Sequence, residues 1–318
     1  MGNCNKKTYS GIGGQAVIEG IMMKNKHAYA VAVRKTDGEI VVKTEEYVGI
    51  TEKYKILGLP FIRGIFAMVD SLILGVKTLE YSASFFDDEE STEPEGKIDK
   101  WLNEHLNEKT MGVVMGIITV ISFIFALLIF ALLPAAVGSL FKKFISDDDF
   151  LVAFIEGIFR IIIFIVYIKA ISRFEEIKRT FEYHGSEHKC INCIENGWDL
   201  TVENVLKASK EHKRCGTSFL VFVMIISIFL FMFIRTDTIW LKFLSRILLI
   251  PVVAGVSYEL LRLMGKFDNK FVDILSRPGM WMQGLTTLEP DAKEVEVAIK
   301  SVEAVFDWRK FKEEHFSN

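Results

Sequence analysis

The chain has 318 residues, half of them apolar, with 26 Phe, 6 Pro and a formal net charge of −3. That balance is neither basic nor acidic enough to imply a nucleic-acid partner. The apolar residues fall in blocks, which argues against the pair of soluble domains that length alone would allow.

The first 20 residues are Gly-rich and polar, without the apolar core of a secretory signal. Met1-Gly2-Asn3-Cys4 has the look of an acylation signal, but Lys6 stands where the myristoylation pattern requires Ser or Thr. From Tyr29 to Tyr47 the chain alternates, with Val31, Val33, Ile40 and Val42 flanking Thr36-Asp37-Gly38-Glu39. Asp-Gly between two alternating runs predicts an antiparallel hairpin, so residues 1–60 are expected to form a small β-containing cytoplasmic region. Residues 61–86 are apolar but interrupted by Arg63, Asp70, Lys77 and Glu80. Charges at that spacing predict a helix on the membrane face rather than a fifth span, because a charge at mid-bilayer is costly. Residues 87–110 read as an acidic linker.

Four apolar segments follow over 111–265: 111–141, 150–172, 216–234 and 239–263. In hydrocarbon only a helix satisfies every backbone group within such a segment, and about 20 residues cross a core of about 30 Å. The expected fold is therefore an α-helical polytopic membrane protein with four transmembrane helices, a small N-terminal β element and a cytoplasmic helical loop. The connection over 169–215 carries nine Lys and Arg, whereas those near 142–149 and 235–238 carry only Lys142, Lys143 and Arg235. The basic side stays in the cytoplasm, which places this loop and both termini there. Its cysteines, Cys190, Cys193 and Cys215, then favour a metal or plain thiol over a disulfide. In the tail, 266–318, Glu289-Pro290-Asp291 opens an amphipathic helix whose stripe is Val295, Ala298, Val302 and Val305, suited to packing on the β element or the loop.

The cytoplasmic loop, 173–215, holds three of the six histidines and three of the four cysteines. In His184-Gly-Ser-Glu187-His188 the histidines stand at i and i+4, which on a helix places both imidazoles on one face about 6 Å apart. The same letters, H-x-x-E-H, occur in one class of zinc peptidases, where the Glu serves as general base. Gly185 weakens the helix by about 1 kcal/mol. Ile177, Phe181, His184 and His188 share one helical face. Val202, Val205, Leu206, Ser209 and His212 form a second, predicted to carry His212 toward the first pair, with Cys215 three residues on. The competing reading is a polar packing network of hydrogen-bonded core histidines; three of them on facing stripes beside Glu187 and Cys215 favour the metal. Zinc suits such ligands, with iron or manganese as the alternative. Cys190-x-x-Cys193 leaves open a separate structural zinc or redox pair. Glu259 and Arg262, at the cytoplasmic end of the last segment, read as snorkelling anchors, or for Glu259 as a carboxylate near the metal.

Five stretches carry a family resemblance: Gly13-Gly-Gln-Ala-Val-Ile-Glu-Gly20 with Met22-Met23, His184-Gly-Ser-Glu-His-Lys189, Leu200-Thr-Val-Glu-Asn204, Arg214-Cys-Gly-Thr-Ser-Phe219 and Leu285-Thr-Thr-Leu-Glu-Pro-Asp291. Together they make the chain resemble the YqhQ family of bacterial membrane proteins, a domain of unknown function predicted to be metal-dependent. Lys213 departs from the usual Pro before Arg214. The resemblance implies a metal and a multi-pass location in the bacterial cell membrane, and names no reaction. The function expected is a metal-dependent hydrolase at the cytoplasmic membrane face. Its ligands would be His184, His188, His212 and Cys215, its base Glu187, and its substrate a lipid, lipid-linked precursor or membrane peptide. The alternative is a non-catalytic scaffold or regulatory factor with a structural metal or none.

Overall fold

The strand Ala28–Arg34 alternates its side chains between two apolar layers, and that alternation organises the soluble part of the molecule. The computed structural model describes residues 8–86, 117–234 and 238–316, apart from 119, 123, 127 and 268. The acidic linker, Cys4 and the start of the first apolar segment lie outside these residues.

Four strands, β1 (Gly13–Val17), β2 (Gly20–Asn25), β3 (Ala28–Arg34) and β4 (Ile40–Glu46), form an antiparallel meander in chain order. The expected hairpin is β3–β4, with Arg34 opposite Ile40 and Ala28 opposite Glu46. Its turn is closed by Gly38 N–H donating to Lys35 O at 3.0 Å and Lys35 N–H to Glu39 O at 2.9 Å. Gly38 takes the left-handed conformation at φ +88°, as a type I turn followed by a bulge requires. β1 and β2 were not expected. Their turns use Glu19 (φ 47°) and Lys26 (φ 50°) in the left-handed region, in place of the neighbouring Gly20 and Asn25 that usually take it. Glu19 is held there by an ion pair with Arg179 and by the Tyr183 hydroxyl, 3.4 Å away.

A period of two puts successive residues on opposite sheet faces, and here both faces are buried. Ile21, Met23 and Ala32 join a core with Tyr183, Ile191, Val295 and Val302, while Met22, Val31 and Val33 join one with Leu74. Leu74 belongs to α2 (Ile62–Ala83), which lies across the sheet's second face; a short α1 (Ile50–Lys53) precedes it. Three of the four charges of α2, Arg63, Asp70 and Lys77, are engaged. Asp70 accepts from Ile50 N–H at 2.8 Å and the Tyr47 hydroxyl at 2.9 Å, and Lys77 pairs with Glu45 at 2.5 Å. Arg63 forms a two-pronged pair with Glu259 at 2.6 and 2.5 Å. Leu72, Ile73, Val76 and Leu79 face outward, the apolar face that a surface helix would lay on lipid.

Three helices are long and apolar enough to cross a membrane: α3 (Val120–Phe144), α4 (Asp149–Ile171), and the Phe243–Gly265 stretch of α8 (Ile239–Lys266). They overlap three of the four expected segments. The remaining segment is α7 (Gly216–Phe231), 16 residues long. At 1.5 Å per residue it spans roughly 24 Å, short of a 30 Å core. Between α4 and α7 lie α5 (Glu175–Glu195) and α6 (Val202–Lys207); after α8 come α9 (Lys270–Thr286), α10 (Ala292–Val305) and α11 (Trp308–Phe316). The tail helix is thus α10, opened by a capping box of Asp291 and Glu294 and buried through Val295, Ala298 and Val302 against the sheet and α5. α9, unremarked in the sequence, supplies part of the site.

Candidate metal centre

α5 is polar in composition, yet Tyr183 and every residue from Gly185 to Glu195 are buried. Buried polar side chains require partners, and here backbone from elsewhere in the chain supplies them. Lys189 donates to Leu206 O at 3.0 Å and Ala208 O at 2.9 Å and pairs with Glu289 at 2.8 Å. Asn192 donates to Ser209 O at 2.7 Å and Glu211 O at 2.9 Å. This corrects the expected second helical stripe. α6 ends at Lys207, and the carbonyls beyond it turn to α5 instead of bonding up a helix.

The same backbone fixes the histidines. His184 Nδ1 lies 3.0 Å from Thr286 O and His188 Nδ1 lies 2.7 Å from Lys210 O. A carbonyl only accepts, so each Nδ1 carries a proton, and Nε2 is the nitrogen that would give up any proton of its own to bind a metal. Cys215 caps the N-terminus of α7, its sulfur accepting from Thr217 N–H at 3.3 Å and lying 3.2 Å from His184 Nε2. One ligand atom from each of His184, His188 and Cys215 lies within 4.8 Å of the others. Bonds of about 2.0–2.3 Å at tetrahedral angles put zinc ligands roughly 3.5 Å apart, so a small inward movement closes the set. Backbone carbonyls orienting imidazoles through Nδ1 are the usual support of histidine ligands. The donor chemistry fits a zinc-type ion.

His212 stands beside this set but turned from it. Its ring is 5.6 Å from that of His188, while its Nε2 accepts from Arg214 at 3.2 Å and lies 3.7 Å from Glu195. Arg214 can only donate, which occupies the lone pair a metal would need. Gln283 of α9 holds the His212 backbone from both sides, accepting from its N–H at 2.9 Å and donating to its carbonyl at 2.7 Å. Glu195 in turn accepts from the Ser10 hydroxyl at 2.9 Å and pairs with Arg214. His212 is thus the packing-network histidine, and His184 and His188 the ligand-type pair.

Glu187 is buried and accepts from Gly14 N–H of β1 at 3.0 Å. Burial pushes its carboxyl above the usual range, against the pull of the neighbouring His188 and His184. For Cys215 burial would raise the thiol, but His188 and His184 outweigh it and hold it well below its ordinary value. For His184 burial works against the charge, and the Cys215 sulfur overcomes it, lifting the imidazole to about 9. A thiolate facing imidazoles is electrostatically ready for a cation.

The other sequence candidates sit elsewhere. Cys190 is fully buried in the core behind α5, and Cys193 donates weakly to Asp199 O at 3.4 Å; burial raises both thiols, so neither is poised as a ligand or redox thiol. Glu259 is committed to Arg63 and to Phe61 N–H at 3.2 Å. Gly14, Thr286, Thr217 and Arg214 were not singled out as site residues, yet each lies in a stretch that carried the resemblance, and those stretches converge here. Gln283 had no such signal.

Residues 59–308 match the family described as "Protein of unknown function (DUF1385)". The chain belongs to that family. It is also similar to the "Uncharacterized protein YqhQ" of Bacillus subtilis (strain 168), 38% identical over 299 residues that cover 91% of this chain and 90% of the relative. The expected membership therefore holds. No solved structure matches the chain. The family region contains every ligand-type residue and Glu187, whereas Gly14 and the sheet lie before it.

Proposed function

We propose that this protein is a zinc-dependent hydrolase of the cytoplasmic membrane face, with His184, His188 and Cys215 holding the metal and Glu187 as general base. The observation that carries this reading is the donor count. Three ligand-type side chains converge among the described residues, leaving a tetrahedral ion one open position, as catalytic zinc sites do and closed structural sites do not. A zinc held there would supply the Lewis acidity that makes water nucleophilic near neutral pH. Thr286 O and Lys210 O fix the two imidazoles, Gly14 N–H fixes the Glu187 carboxylate, and that carboxylate sits on the helix that presents both histidines. Of the ligand-type set, His184 is the most open, so substrate would arrive along its edge.

The membrane reading is part of the proposal. α3, α4 and α8 would cross fully, α7 would serve as a short fourth span, and the nine basic residues over 169–215 would keep the site and both termini cytoplasmic. The apolar face of α2 would rest on the same surface, and a lipid, lipid-linked precursor or membrane peptide would be the substrate within reach. A second reading, a non-catalytic factor whose metal only folds the loop, is favoured by the burial of His188, Glu187 and Cys215. Two measurements separate these. Metal analysis of purified protein should find zinc that His184→Ala loses. The cobalt-substituted protein should change its visible spectrum when azide is added if a coordination position is open. An unchanged spectrum in a metal-loaded protein sinks the hydrolase and leaves the structural role.

A further inference from the structure

In the first half of α4, up to its middle, four helices meet around a charged cluster between apolar walls. Glu156 and Arg160 lie one turn apart on α4, roughly 10 and 16 Å along it from Asp149 at 1.5 Å per residue. Arg246 of α8 pairs with Glu156, which is almost wholly buried. Arg160 donates from Nε to Phe130 O at 3.2 Å, within a π-turn of α3 over Leu128–Leu132. Such turns commonly mark functional positions in helices. Both guanidiniums lie over the ring of Phe231, the last residue of α7, at 5.6 Å for Arg160 and 5.3 Å for Arg246. The ring's negative face offsets part of their mutual repulsion.

The described side chains here sum to two cations and one anion. Glu156 balances Arg246, and Arg160 has no carboxylate partner among the described residues. Donors are also left over. Arg246 Nε is buried without a hydrogen bond, and the terminal amino groups of Arg160 meet no acceptor among the described residues. Unneutralised charge and bare donors are costly in a membrane interior, so a cluster that keeps both has a use for them. Planar guanidinium forks match the oxygens of a phosphate group, and a phosphodiester carries a single negative charge, equal to the excess of the described side chains. Beside it Ile158 and Ile162 of α4 and Leu244 and Leu248 of α8 face outward, an apolar path that acyl chains would follow.

We propose that Arg160 and Arg246, set by Glu156 and Phe231, form an intramembrane site for a phosphodiester group, supplied by a phospholipid whose tails lie against α4 and α8. This rests on the membrane reading of those helices and not on the metal centre. The test is native mass spectrometry of the full-length protein, extracted in detergent and offered phosphatidylglycerol, diacylglycerol with the same tails, or inorganic phosphate. Wild type should retain phosphatidylglycerol and not diacylglycerol. Arg160→Gln should weaken retention at least about tenfold, the loss of one charge-assisted contact. Arg160→Lys, which keeps the charge without the fork, should fall between them and guards against a misfolded Gln variant. Glu156→Gln, which leaves the cations in excess, should bind at least as well as wild type. Equal retention by wild type and Arg160→Gln, or of diacylglycerol and phosphatidylglycerol, overturns the site. Displacement of the lipid by inorganic phosphate overturns the lipid as its source. Protein recovered in the soluble fraction would refute the membrane reading itself, an outcome distinct from a membrane-extracted protein that binds no phospholipid.

Discussion

Gly185 tests whether the segment after α9 holds the histidine pair in place. A Cβ built there falls well inside 3.0 Å of Leu288 O, a backbone atom, and 3.4 Å from Pro290 Cδ. Leu288 cannot easily retreat, because its N–H bonds to Phe181 O of α5 at 3.0 Å, and two residues before it Thr286 O fixes His184. Gly185→Ala gains about 1 kcal/mol of helix propensity. Against that stand about 1–3 kcal/mol of overpacking and about 1 kcal/mol for each of the two hydrogen bonds disturbed. The net expectation is a destabilisation of about 2–4 kcal/mol with weakened zinc binding. The control is Gly284→Ala, near the end of α9, where nothing lies within 4 Å of the added methyl and the same propensity gain is unopposed. Thermal unfolding and metal content of the two variants in detergent make the comparison. A Gly185→Ala protein as stable as Gly284→Ala, with full zinc, would refute the reasoning.

His188→Ala and Cys215→Ser should each lose bound zinc, whereas His212→Ala should keep it; equal loss in all three by elemental analysis would return His212 to the ligand set. Glu187→Gln should retain zinc and abolish hydrolysis, and zinc loss in that variant would make Glu187 a ligand rather than a base. Burial raises the Glu294 carboxyl to about 7, from 4.5 when unfolded. The folded state then binds the proton more tightly, so the cost of ionisation is absent below about 4.5 and fully present above about 7. Glu294→Gln should therefore melt higher than wild type at pH 8, by on the order of 2 kcal/mol, and lose that advantage by pH 4.5. A pH-independent difference would point to the capping box instead. Reporter fusions at residue 195 and at the C-terminus should score cytoplasmic and one at residue 146 external; a cytoplasmic signal at 146 would end the four-span proposal.

The pairing of His184 with His188 was legible because a helix repeats every 3.6 residues, whereas Cys215 was marked only by standing three residues after His212. His212 turns away from the other two histidines for a definite reason. Its stripe is sound through Leu206, but helical periodicity is silent on whether a chain keeps its own hydrogen bonds. Lys189, Asn192 and His188 bring side-chain donors to the carbonyls of Ala208, Ser209 and Lys210, and the helix ends at Lys207. β1 and β2 were hidden because the positive φ of their turns falls on Glu19 and Lys26 and not on the neighbouring Gly20 and Asn25.

Local pattern alone determined the apolar helices, the β3–β4 hairpin, the α10 stripe and the i, i+4 histidine pair, since each depends on residues near one another in the chain. Tertiary structure decided the rest. Two sheet faces are buried because α2 and α5 with α10 cover them from opposite sides, and a polar α5 lies in the interior because Gly14, Lys210 and Thr286 reach it from distant segments. Whether a histidine ring faces Cys215 or an arginine depends on how its segment is held. That is set by partners many residues away, such as Thr286 for His184 and Gln283 for His212, and no local spacing records them.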